Sequence, residues 1–126
     1  MKQSKKLIIN KKSPKLSAGK INYLIDIDGT ITDDVPNEES ERMVTCLPYK
    51  GAKEAIDNLY NKGHIITFFT SRTSKDHKKI TKTWLKKHGF KYHNLLMDKP
   101  RGGNYHWIDN HKVKSTLFKK SWKGIK

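Results

Sequence analysis

Apolar residues along this chain repeat with two different periods, and segments of each kind alternate. Residues 21–25 and 64–69 are short, mainly apolar runs rich in β-branched and aromatic side chains, which predict buried strands. Between them, apolar residues recur every three or four positions over residues 52–62, which predicts a helix that ends at Gly63. We therefore expect an α/β protein.

The second half of the chain continues the alternation. A capping box at Thr73 predicts the start of a helix that ends at Gly89. Residues 95–97 and 105–108 then predict a third and a fourth strand, and a last helix is expected from near Lys112. Strands joined by right-handed helical crossovers form a mainly parallel sheet with helices on both faces, a three-layer Rossmann-like core whose strands all end at one rim.

Two carboxylates follow the first strand, in the sequence Asp26-Ile27-Asp28-Gly29-Thr30. Residues two apart in extended chain face the same side, so both carboxylates can converge on one ligand at the strand's end. Asp26 then suits the nucleophile of a phosphoryl transfer, and Asp28 suits the acid and base. A hard cation such as Mg²⁺ would offset their repulsion of a phosphate. The alternatives are a simple turn or a fragment of a calcium loop, although the further ligands of such a loop do not follow in order.

The ends of the other predicted strands carry matching chemistry. Thr70-Ser71-Arg72 follows the second strand, Lys99-Pro100-Arg101 the third and Asp109-Asn110 the fourth. A hydroxyl beside the first amides of a helix can bind phosphate, a lysine can neutralise Asp26, and another acid can bind Mg²⁺. Singly, each feature also fits a helix cap, a surface charge or a turn. Four such sites at successive strand ends favour the catalytic interpretation.

This ordered set resembles the haloacid dehalogenase-like (HAD) hydrolase superfamily over residues 21 to about 115. The resemblance implies that Asp26 is nucleophile and Mg²⁺ ligand, and that Asp28 is general acid and base and offers its backbone carbonyl to Mg²⁺. It also implies that Thr70 binds phosphate, Lys99 steadies the phosphoaspartate and Asp109 binds Mg²⁺. Many relatives have a second acid where this chain has Asn110, which stays a further candidate ligand.

Within the superfamily, the second carboxylate, Asp28, is typical of phosphatases. The intervals after the first motif and between the second and third are too short for a cap domain, so the acidic residues 33–41 are at most a flap. Ser71, Arg72 and Arg101 are further candidates for binding the phosphate or the rest of the substrate, although both arginines would also fit ordinary surface salt bridges. A capless site implies a large or exposed phosphate, or completion of the site in a homo-oligomer.

Charge is distributed unevenly along the 126 residues, whose net charge is +15. Residues 1–20 hold seven lysines and no acid, and residues 111–126 hold six lysines and no acid, whereas the interval between them has 14 basic and 12 acidic residues, a net +2. We divide the chain into a basic arm (1–20), a catalytic core (21–115) and a basic tail (116–126). The two ends could bind nucleic acid, but solvated tails are the commoner role of such segments.

The composition also bears on location. The single cysteine, Cys46, cannot form an internal disulfide, which suits a reducing cytoplasm. No apolar stretch approaches the roughly 20 residues of a membrane span, and no membrane partner is expected.

The sequence as a whole favours a Mg²⁺-dependent phosphatase that acts on a phosphorylated small molecule. A sugar phosphate is expected because the pattern around residues 58–72 resembles small phosphatases of capsule and surface-sugar biosynthesis. Two alternatives stay open: an enzyme similar to polynucleotide 3′-phosphatases, and a non-catalytic module with the same fold that binds polyanions.

Overall fold

The structure, a computed structural model, describes residues 15–125. Most of the predicted basic arm therefore lies outside the described residues. The elements in chain order are strand β1 (Asn22–Ile25), helix α1 (Ser40–Thr45), helix α2 (Ala52–Asn61), strand β2 (Ile65–Phe69), helix α3 (Ser74–Lys87) and strand β3 (Asn94–Leu96).

The three strands form one parallel sheet in the order β1-β2-β3. In the parallel register, Asn22 pairs with Ile65 and Thr67 pairs with Asn94, so the carboxyl ends of all three strands lie at the same edge of the sheet. β2 is the central strand, and its three middle residues, Ile66, Thr67 and Phe68, are buried, as expected for a mainly apolar strand of a parallel sheet. The α/β fold with a parallel sheet and flanking helices is confirmed.

The core is built where the apolar faces of α2 and α3 meet the sheet. Ile56 and Leu59 from α2 and Trp84 and Leu85 from α3 belong to one buried cluster that includes Phe68 of β2. The helices end as the sequence predicts: Gly63 and Gly89 take positive φ angles of 91° and 73°, a backbone conformation that side chains disfavour. None of the helices in residues 15–125 has the length and apolar character needed to cross a bilayer.

The C-terminal segment returns to this core through Trp122. The indole is buried, and its Nε1–H donates to the backbone oxygen of Thr30 at 2.7 Å, 92 residues away. Phe118 is tilted against Trp122 with ring centroids 5.3 Å apart. The C-terminal segment therefore packs directly beside the turn that carries the two aspartates.

Two predicted elements are wrong. Residues 105–108 form no strand, and no helix begins near Lys112; within residues 97–125 the structure has neither. Only eight residues separate β3 from Tyr105, fewer than the dozen or more that a parallel crossover needs. The segment after Lys112 has lysines but no acids to pair with them, and an isolated helix of this length is marginal in water.

Candidate active site

Asp26 and Asp28 lie just beyond the carboxyl end of β1 and line a cavity of about 370 Å³. The chain turns sharply at Gly29, whose φ is 79° and whose N–H donates to the oxygen of Thr32 at 2.8 Å. A Cβ at this position would also lie 3.5 Å from the Cβ of Asp34. Glycine is needed here for its backbone conformation, and the turn that results brings Asp34 to the same cavity.

Lys99 reaches Asp26 from the loop after β3. Its Nζ lies 3.1 Å from Asp26 Oδ1, and its side chain is only 14% exposed. The ammonium group also lies 5.7 Å from the ring centroid of Phe69 and 5.4 Å from that of Tyr105. The two rings limit the water around the cation, which strengthens its attraction to the carboxylate. Positive charge is therefore held beside the proposed nucleophile.

Arg72 holds Asp28 from behind the cavity. Its side chain is fully buried, and its Nε and Nη2 donate to the two carboxylate oxygens of Asp28 at 2.9 and 2.8 Å. Its Nη1 donates to the hydroxyl of Thr81 on α3 at 3.0 Å. A bidentate guanidinium–carboxylate pair fixes both the position and the plane of the carboxylate. Asp28 is thus oriented by a buried cation while it still lines the cavity.

Hydrogen bonds attach the loop that carries Lys99 to the start of α3. Asp98 has a left-handed φ of 63°, its N–H donates to the Arg72 oxygen, and its carboxylate accepts from the N–H and hydroxyl of Ser74. The hydrogen bond from the Ser74 hydroxyl, with that from the Ser74 backbone N–H, lowers the pKa of Asp98. Several hydrogen bonds hold Asp98 in this unfavourable backbone conformation, which indicates that they fix the path of the loop that carries Lys99.

The acidic segment that the sequence predicts as a flap forms one wall of the cavity. Val35 is buried and anchors the segment, and Asn37 bridges it to the loop after β2, donating from Nδ2 to the Ser71 oxygen at 3.2 Å. The Nε2 of His77 lies 3.2 Å from the Asn37 oxygen. Because the N–H of Thr73 donates to His77 Nδ1, Nε2 carries the proton in a neutral ring and donates to Asn37. The wall is thus bonded to the first turn of α3.

The remaining predicted binding residues differ in their access to the cavity. Ser71 and Arg101 line it, whereas the hydroxyl of Thr70 is buried and accepts the N–H of Arg72 at 3.2 Å. Arg101 is exposed at the rim of the cavity, where its Nη2 lies 3.8 Å from Oε2 of Glu38 in the acidic segment 33–41. Ser71 therefore faces the ligand space, and Thr70 shapes the turn behind it.

Asp109 and Asn110 are exposed and do not line this cavity. The carboxylate of Asp109 accepts from Trp107 Nε1 and from the His111 N–H, both at 3.0 Å. The Trp107 bond is the main cause that lowers the pKa of Asp109. Since residues 105–108 form no strand, nothing carries Asp109 to the rim that the sequence analysis expected.

Three residues that build the site were not predicted from the sequence. Asp34 lines the cavity, Asp98 hydrogen-bonds the loop that carries Lys99 to the start of α3, and the Tyr105 ring packs on Lys99. Asp34 had a usable signal, because it follows the aspartate motif by a few residues within an acidic run. The bond from Ser74 to Asp98 spans 24 residues and had no local signal.

The donors in the cavity suit a hard cation. Asp26 presents carboxylate oxygens to the cavity. Proteins commonly bind Mg²⁺ through one or two carboxylates, and waters and substrate phosphate complete the coordination, so no other class of protein ligand is required. Residues 15–125 contain no cluster of three or more acidic, histidine or cysteine side chains that would hold a metal without such help.

The fold and this arrangement of residues define a protein of the HAD-like hydrolase superfamily. The chain belongs to the family of LNS2 domains, lipin/Smp2-like domains with a HAD-like phosphatase fold, because the family model described as "PITM 1-3, LNS2 domain" matches residues 23–123. A comparison with curated protein sequences found no match.

Two solved structures share the fold. A crystal structure of a protein from Vibrio cholerae, an MCSG target, is 24% identical, with a TM-score of 0.57 over 75% of this chain and 83% of that chain. A chain of the Pnkp1/Rnl/Hen1 complex is 18% identical, with a TM-score of 0.54 over 77% of this chain and 33% of that chain. At these identities the likeness concerns the fold alone.

Proposed function

We propose that this chain is a phosphatase that hydrolyses a phosphate monoester through a phosphoaspartate at Asp26. The observation that carries the proposal is the pairing in one cavity of Asp26 with Lys99, beside an Asp28 that Arg72 holds through both oxygens. A turn or a surface charge would not need a fully buried arginine behind it. Membership of a family with a HAD-like phosphatase fold supports the same reaction class.

The reaction assigns one task to each group. The Asp26 carboxylate attacks phosphorus, the ester P–O bond breaks, and Asp28 gives a proton to the leaving oxygen. Asp28 then takes a proton from a water that attacks the acyl phosphate, which releases inorganic phosphate and restores Asp26. Lys99 offsets negative charge on the carboxylate and on the phosphoryl oxygens. Ser71 lines the cavity, and its hydroxyl, which donates to the Pro100 oxygen at the long distance of 3.5 Å, is the candidate contact to a phosphoryl oxygen.

We assign Mg²⁺ to this site as the cofactor. Asp26, with the backbone carbonyl of Asp28, would hold it, and Asp34 is the further acid of the same cavity. When bound, the ion supplies positive charge that lets a carboxylate approach a phosphate dianion. Asp109 and Asn110, the other ligands proposed from the sequence, would require the segment after Lys99 to change its path.

The two arginines take different roles in this proposal. Arg72 is a positioning residue for Asp28, because its buried guanidinium donates to Asp28 and Thr81. Arg101 is the candidate contact to the substrate beyond its phosphate, because it is exposed at the cavity rim and its pairing with Glu38 is long.

The substrate is proposed at the level of a phosphate monoester. A sugar phosphate, as in capsule-type phosphatases, stays the prediction from sequence, and a phosphatidate-type lipid phosphate is the alternative that the family suggests. A panel of these esters, with a generic aryl phosphate, ranks them directly.

A second candidate is a non-catalytic module that binds phosphate with the same residues. Asp109 and Asn110, two of the Mg²⁺ ligands predicted from the sequence, lie away from the cavity, which favours this candidate because such a module would not need to hold a metal. It predicts that inorganic phosphate binds to wild-type protein and not to Lys99→Gln, without turnover of any ester.

The deciding experiment is turnover on the ester panel with Mg²⁺ and with EDTA, for wild type, Asp26→Asn and the control Asp33→Asn. Asp33 is exposed and does not line the cavity, so the control removes one nearby charge and leaves the site intact. We expect turnover that EDTA stops, that Asp26→Asn abolishes and that Asp33→Asn retains. Folded, metal-supplied protein with no turnover on any ester would reject the proposal.

A further inference from the structure

The outward face of α3 carries lysine at every position of one continuous stripe. Lys75, Lys79, Lys82 and Lys86 are exposed and spaced i, i+4, i+7 and i+11, which places them within about 60° of arc on a helix of 3.6 residues per turn. The opposite face holds the buried residues His77, Thr81, Trp84 and Leu85. We call the four lysines the lysine stripe.

The stripe lacks compensating charge. None of its lysines pairs with an acid in residues 15–125, and Asp76 is the single acid of α3 against six lysines. By contrast, α2 pairs Lys53 with Asp57 one turn apart. Like charges three or four positions apart destabilise a helix. A bound polyanion would offset this unpaired charge.

We propose that the lysine stripe binds a linear polyanion, namely the phosphate backbone of single-stranded nucleic acid. The stripe runs for about 16 Å along the helix, with successive lysines on the order of 5–6 Å apart, a spacing suited to consecutive phosphates of an extended strand. A shallow groove on the same face is lined by Lys75, Lys79 and Lys82, with Asp76 as its one acid. This surface is separate from the phosphatase chemistry and does not depend on it.

The composition of the face selects this partner over a membrane surface. Every exposed residue of α3 is Lys, Ser, Thr or Asp, so no aromatic or aliphatic side chain is available for insertion between lipids. Compact lysine charges on flexible stems suit a series of single phosphate contacts. The placement also differs from that expected from the sequence, which assigned polyanion binding to the two chain ends.

The test measures binding of a fluorescently labelled oligothymidylate, about 12 nucleotides long, by the full chain at several salt concentrations. The variant is Lys79→Gln/Lys82→Gln, and the matched control is Lys112→Gln/Lys114→Gln, which removes the same charge from the exposed C-terminal segment. All four lysines are exposed, so neither change should disturb folding.

Loss of two phosphate contacts lowers the slope of log affinity against log salt by about 1.4 for a single strand, so wild-type affinity should fall about sevenfold more than the variant's between about 50 and 200 mM salt. We expect this change for the stripe variant and wild-type behaviour for the control. An equal effect in both variants would overturn the proposal in favour of the chain ends. Stripe-dependent binding to phosphatidylserine vesicles, without binding to the oligonucleotide, would overturn it in favour of a membrane.

Discussion

Replacing Arg72 by methionine tests the most constrained contact of the site. Methionine keeps much of the side-chain volume but leaves the Asp28 carboxylate and the Thr81 hydroxyl without their buried partner. We expect the variant to fold with a clearly reduced free energy of unfolding and to lose turnover, because Asp28 is then free to change its orientation.

The magnitude follows from the burial of the pair. Removing one partner of a buried ion pair costs about 3–5 kcal/mol. Arg72 is fully buried, but the Asp28 side chain is 14% exposed at the cavity wall and can regain some hydration. We therefore expect a loss of about 3 kcal/mol, the lower end of that range. Lysine at position 72 should recover only part of this free energy of unfolding, because lysine keeps the charge without the bidentate geometry.

Urea unfolding measures this loss. With a typical denaturant slope of about 1–3 kcal/mol/M, the midpoint of Arg72→Met should fall by about 1–3 M. The control is Arg42→Met, because Arg42 also pairs with an acid, Glu39, but both side chains are nearly half exposed. That pair should contribute less than about 1 kcal/mol. Equal midpoints for the two variants would refute the claim that a buried pair anchors the site.

Three further outcomes are expected. Trp122→Phe keeps the aromatic ring but leaves the Thr30 oxygen without its donor, so unfolding should cost about 1–2 kcal/mol less, measured by urea titration; no change would mean that water replaces the bond. Lys99→Gln should lower kcat about 100-fold or more on an active ester, whereas a change in KM alone would limit Lys99 to binding. Because its folded pKa is lowered, Asp98 stabilises the fold above its ordinary pKa of 3.8, and this contribution is lost as the pH falls through the lower folded value. Ser74→Ala should thus destabilise at pH 7 and progressively less in acid; a pH-independent difference in urea midpoints would contradict this cause.

Local signals in the sequence were sufficient for the central elements of the fold. Apolar periodicity and terminal glycines located α2 and α3, and the bond from the Asp76 N–H to Thr73 Oγ1 at 3.2 Å confirms the predicted cap. The return bond of a capping box is replaced, because the Thr73 N–H donates to His77. An aspartate is a shorter side chain than the glutamate or glutamine usual at that place.

Contacts between distant segments had no such signal. The sequence indicated that Lys99 would neutralise Asp26, but not that a buried Arg72 would take both oxygens of Asp28, 44 residues away. An arginine in a loop gives no indication of its burial. The fourth strand was expected from its apolar residues, yet strand formation also requires a connection long enough to reach the sheet.

A phosphoaspartate at Asp26 can be detected directly from the mass of the peptide that contains Asp26, measured after acid quenching during turnover of a phosphate monoester with Mg²⁺. We expect an increase by one phosphoryl group at Asp26 in wild-type protein, and neither the increase nor turnover in Asp26→Asn. Turnover that persists in Asp26→Asn, or a phosphoryl group found on another residue, would contradict this mechanism.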